Sequence, residues 1–181
     1  MLSIEIEGKE LYDERLEEFV DVKATSLKLE HSLVSISKWE SRWRKPFLDP
    51  VHDKTYEETI DYIRCMTLTQ NVDPNVYYCL SPQQINAINT YINTDQTATT
   101  FSDSQKRANN RQIVTSELIY YWMFGYGIPI DCQKWHLSRL LTLIRIMEIK
   151  SQPEKKMSTK EILTRNKALN AARRSKLHTK G

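Results

Sequence analysis

Hydrophobic and polar positions alternate at the start of the chain. Leu2, Ile4 and Ile6 are separated by Ser3, Glu5 and Glu7, the period-2 signature of a half-buried strand. Gly8-Lys9 reads as a turn, and Val20, Val22 and Ala24 alternate again, followed by Leu27 and Leu29. This predicts two or three short strands before about residue 30, a hairpin or small sheet that must pack on something or pair with another chain. Near residue 30 the period changes to helical. Leu29, Leu33, Ile36, Glu40 and Trp43 share a face with Trp39 alongside, and Pro46 ends the segment. Thr55-Tyr56-Glu57-Glu58 is a capping box, and the helix after it carries Tyr56, Ile60, Ile63 and Met66 on one side. Asn71 to Pro74 is a turn. Ser81-Pro82-Gln83-Gln84 is a second helix start, followed by Ile85, Ile88 and Ile92.

Residues 93–111 are polar and turn-rich, a long loop with Phe101 as its apolar anchor. Residues 113–124 are apolar nearly all round, which predicts a helix central to a core or an interface. Gly125 to Pro129 stops it. Asp131 is expected to cap the last core helix, with Leu137, Leu140, Leu141, Ile144 and Met147 as its buried stripe. Gln152-Pro153 marks a linker. Ser158-Thr159-Lys160-Glu161 is another capping box, and the basic, alanine-rich segment to about Ser175 can be helical but cannot bury much alone. The expected fold is α+β and mainly α: an N-terminal antiparallel β element (1–30), a compact helical core (31–149) and a basic C-terminal arm (150–181).

Composition narrows the function classes. The chain of 181 residues is 40% hydrophobic, enough for one core, and it has no run near the roughly 20 apolar residues that span a bilayer. The acidic, alternating start lacks the basic and apolar regions of a secretion signal, so export is not expected. Three cysteines at wide spacing do not make a disulfide framework. With only 4 glycines, no GxGxxG or GxxxxGK[ST] loop exists, which removes the commonest phosphate-cradling signatures. The net charge of +3 conceals an asymmetry. Residues 1–30 carry nine acids against four bases, whereas residues 150–181 carry ten bases against two acids, a polarity that bears on association.

No enzyme, metal or cofactor chemistry is expected. Cys132 and His136 lie four apart on a helix without a second ligand pair, and Cys65 and Cys79 form no CxxC, so structural cysteines are the expectation. The histidines are His31, His52, His136 and His178, and no nucleophile-elbow motif accompanies them. Asp49, His52 and Asp53 read as solvated turn chemistry. The aromatics say more. Trp39 and Trp43 flank Arg42 and run on to Phe47, while Tyr121, Trp122 and Trp135 lie in the most apolar segments. Core packing explains such residues, but Trp and Arg together also suit a docking face. The arm, with Arg173, Arg174 and Lys176, could neutralise phosphates, yet it lacks interleaved aromatics, so a protein partner is preferred over nucleic acid.

Four stretches resemble the tail assembly chaperones of tailed bacteriophages, from siphophage-like tail gene clusters. They are LEHSLVSISKWESRWRKPFL at 29–48, KTYEETIDYIRCMTL at 54–68, SELIYYWMFGYGIPIDCQKWHLSRLLTLIRI at 116–146 and KALNAARRSKLHTKG at 167–181. The resemblance implies a non-enzymatic protein in the cytoplasm of the infected host. It would bind the tape measure protein, coat its hydrophobic helices, recruit tail tube subunits and leave before the virion is complete. Many such families also make a longer frameshifted product. Partner binding is then expected through Trp39, Arg42, Trp43, Phe47, Tyr121, Trp122, Trp135, Arg173, Arg174 and Lys176, with self-association through the charged ends and no membrane contact. The competing readings are a minor structural protein of the tail tip, baseplate or connector, and a nucleic-acid-binding protein using the arm.

Overall fold

The N-terminal residues form one long hairpin in two sections. Strands β1 (Leu2–Ile6) and β4 (Thr25–Leu29) pair antiparallel, as do β2 (Lys9–Asp13) and β3 (Glu18–Val22). Ile6 faces Thr25 and Lys9 faces Val22, so both sections keep one register across an unpaired step. Gly8 sits at that step. A Cβ there would stand 3.0 Å from both the Ala24 nitrogen and the Val22 oxygen, so the facing backbone would have to give way to a side chain. The expected Gly8-Lys9 turn is thus a narrow crossing, and the pairing runs on through it to Asp13. Alternation holds throughout: Ile4, Ile6, Val22, Leu27 and Leu29 are buried, whereas Glu5, Glu10, Asp21 and Lys28 are exposed. Later segments cover the hairpin's outer edges. Lys28 donates its backbone N–H to Thr69 Oγ1 (2.9 Å) and accepts from the Leu68 N–H (2.7 Å), while Gln84 Nε2 donates to the Glu5 carbonyl (2.7 Å).

The structure, a computed structural model, describes residues 1–13, 17–51, 53–101, 113–151 and 159–177. Helices α1 (Leu33–Trp43), α2 (Tyr56–Met66), α3 (Pro82–Asn93), α4 (Ser116–Gly125), α5 (Leu137–Ser151) and α6 (Thr159–Leu177) follow, with 3-10 turns at Pro74–Cys79 and Ile130–Lys134. The fold is α+β and mainly α. The Thr55 and Ser81 capping boxes form as their spacing requires, each hydroxyl accepting from the third residue and each Glu58 or Gln84 side chain accepting from the cap. Ser32 caps α1, and Arg44 closes it in the left-handed conformation at φ 54°. Asp131 does not cap α5. It lies in the second 3-10 turn, exposed beside Lys134, and α5 starts after His136. The 102–111 part of the expected long loop, His52, the Gln152-Pro153 linker and the Ser158 cap lie outside the described residues.

Two compact units divide the chain, Met1–Met147 and Glu148–Gly181. In the first, hairpin and helices share one core rather than forming separate bodies. Leu27 and Leu29 join Leu33, Ile36, Trp39, Ile63, Met66, Ile88, Ile119, Met123, Leu140 and Ile144, all buried. In the second, every described side chain from Ile162 to Leu177 is exposed. No helix among the described residues is long and apolar enough to cross a membrane.

Candidate partner-binding surfaces

The Trp39–Phe47 segment spends its aromatics inside the fold. Trp39 is 2% exposed and its indole N–H donates to the Glu58 carbonyl at 2.9 Å. Phe47 is buried, packed edge-on against Trp39 and 4.0 Å from the Tyr62 ring centroid. Half-buried Trp43 stacks on Trp39 and donates to Asp61 Oδ2 at 2.9 Å. Arg42 pairs with Asp61, and Lys45 with Glu58 at 2.6 Å. That lysine bond, and then the Thr55 N–H, hold the Glu58 carboxyl below the usual range. Trp39, Trp43 and Phe47 therefore cement α1 to α2, whereas Arg42, like Lys45, keeps much of its side chain in solvent.

A buried carboxylate completes the junction. Glu40 Oε1 accepts from the Phe47 N–H and Oε2 from the Ser116 N–H, both at 2.8 Å, so one side chain joins α1, the following loop and the first turn of α4. Its place in the helical stripe, among Leu33, Ile36 and Trp43, was the available signal.

A second polar cluster lies where the hairpin, α1 and α5 meet. His31 and His136 are both 4% exposed, with ring centroids 5.1 Å apart. His31 Nδ1 bonds the Tyr62 hydroxyl. His136 reaches Ser138 Oγ (2.9 Å) and the Tyr91 carbonyl (3.3 Å). Burial, followed by the neighbouring His136 and Lys54, lowers His31 to about 3. Burial also lowers His136 against the opposing pull of the Tyr91 carbonyl and Glu30. Tyr91 donates to Glu30 at 2.7 Å, so these groups form an internal polar seam. Cys79 and Cys132 are buried and Cys65 is half-buried.

Helix α4 presents a different picture. Its apolar sequence buries only Ile119 and Met123 among its hydrophobics, whereas Tyr121 is 71% and Phe124 67% exposed. The two are three apart and share a face. Trp122 is half-buried. Trp135, 38% exposed, lies under the Arg139 guanidinium at 4.9 Å. The hairpin adds the exposed cross-strand pair Tyr12 and Phe19, centroids 5.1 Å apart. On α6, Arg173, Arg174 and Lys176 are exposed. Comparison of the chain with protein-family models, curated proteins and solved structures gives no match.

Proposed function

We propose that the chain is a tail assembly chaperone of a tailed bacteriophage. It binds the apolar helical stretches of a tape measure protein, associates with further copies of itself in the host cytoplasm, and leaves before the virion is complete. The observation that carries this reading is the Tyr121–Phe124 face. Two large aromatic rings stand in solvent on a helix anchored beneath by Ile119 and Met123. Aromatic rings on a rigid element bury much area at small entropic cost, which suits capture of an amphipathic helix. The charged ends support self-association: Glu5, Glu7, Glu10, Glu17, Glu18 and Asp21 are exposed on the hairpin, and Arg173, Arg174 and Lys176 on α6. Complementary patches at different places on one chain favour head-to-tail contact between copies.

Titration of an apolar tape-measure helix into the protein tests the first part. The double change Tyr121→Ser with Phe124→Ser is expected to weaken binding at least tenfold while the melting temperature stays close to the parent's; undiminished binding overturns the reading. Mass spectrometry of purified virions separates a chaperone, which is absent, from a structural tail component, which is present in stoichiometric amount. Reversing Arg173, Arg174 and Lys176 to Glu is expected to reduce the oligomer size at low salt.

A further inference from the structure

The α1–α2 pair carries a further cluster, in which Arg42 alone belongs to the partner-binding residues expected from the sequence. Lys38, Ser41 and Arg42 stand at helical spacing on α1, and Arg64 and Cys65 lie on α2. Together they line an open cavity of about 540 Å³. Three of the five are cations. Asp61, bonded to Arg42 and to Trp43 Nε1, is the acid beside them, which leaves a local surplus of positive charge. The Arg64 guanidinium lies 5.3 Å from the Tyr77 ring centroid, so an aromatic face sets its position. Its Nε is buried and, among the described residues, is the buried side-chain nitrogen or oxygen that lacks a hydrogen-bond partner. A buried guanidinium N–H without an acceptor is costly, and a half-buried arginine held at that cost beside two further cations points to an anionic ligand for the cluster.

We infer that this groove binds a phosphate group. Lys38, Arg42 and Arg64 less Asp61 leave two positive charges, which a dianion balances and a single carboxylate does not. Ammonium and guanidinium donors on two helices suit a tetrahedral oxyanion, whereas a planar carboxylate is satisfied by one guanidinium fork. Burial pushes the Cys65 thiol up to about 11, so it stays uncharged at neutral pH and does not repel an anion. The cavity is larger than a phosphate alone, so free phosphate and a small phosphate ester both fit the chemistry.

Calorimetric titration of the full chain with inorganic phosphate, glycerol 3-phosphate and, as the monoanionic control, acetate tests this at constant ionic strength. Saturable binding is expected for at least one phosphate probe and none for acetate. The arm that responds identifies the source as free anion or ester. Arg64→Gln is expected to weaken binding at least tenfold and Lys38→Met severalfold. Lys38 is exposed, so that variant tests the site even where Arg64→Gln fails to fold. Arg173→Gln with Arg174→Gln should leave the affinity unchanged. Ester binding should strengthen as pH rises through about 6, where the second phosphate proton leaves. Absence of saturable binding at millimolar phosphate, equal binding of acetate, or loss with the α6 variant but not with Lys38→Met overturns the proposal.

Discussion

Glu40 is a buried acid whose two oxygens answer two backbone N–H groups from different segments. Truncation removes both acceptors and strands both donors, so Glu40→Ala is expected to cost about 2–4 kcal/mol in urea unfolding. Glu40→Gln keeps one acceptor and should cost less than half as much. The histidine pair makes a different demand. Burial disfavours their charged forms, so between the folded and ordinary values the unfolded chain binds more protons. Stability is therefore full above about pH 6.5 and falls as the pH drops below it, by up to about 1.4 kcal/mol per pH unit for each histidine. Denaturation midpoints between pH 7.5 and 5 check this, and His31→Gln should flatten the slope. At this scale the sequence was half legible. Thr55, Ser81 and their partners lie three residues apart, and local spacing is enough to read them. Trp39 and Phe47 were readable as apolar, but their neighbours lie on α2, and no local pattern reveals that. Arg64 looked like any helical arginine until Tyr77 and the groove were in place.

Among the elements, the hairpin shows how one residue sets a strand's path. Gly8→Val would press a side chain onto the backbone at Ala24 and Val22, and is expected to lower stability by about 1–3 kcal/mol, measured by thermal melting. The same section explains why β2 escaped the period-2 reading. Lys9, Glu10, Leu11 and Tyr12 contain one aliphatic residue, because this part of the hairpin stands largely in solvent and has little apolar surface to advertise. Helix α4 fails in the opposite sense. Where nearly every position is apolar, spacing no longer says which face is buried. The contacts choose Ile119 and Met123 and leave Tyr121 and Phe124 outside.

Among the described residues, the buried hydrophobics all lie between Ile4 and Ile144, while the α6 side chains are exposed. Ending the chain after Ser151 is therefore expected to change unfolding free energy by less than about 0.5 kcal/mol, as checked by urea titration. The exposure of the described α6 side chains follows from composition, since a segment without an apolar stripe has no core to join. The joining of β element and helices into one core does not, because it rests on pairings such as Leu29 with Thr67 and the Ser32 cap with His136, far apart in sequence. Those pairings also impose a timetable on synthesis. A hairpin closes in about 1–10 μs, but Thr69, the first residue to cover its edge, lies 41 positions beyond Lys28, and Gln84 follows later still. At about 5–20 residues per second, the first cover arrives seconds later. For that interval the nascent chain offers open strand edges to any neighbour on the same message, and dense expression should trap it there first.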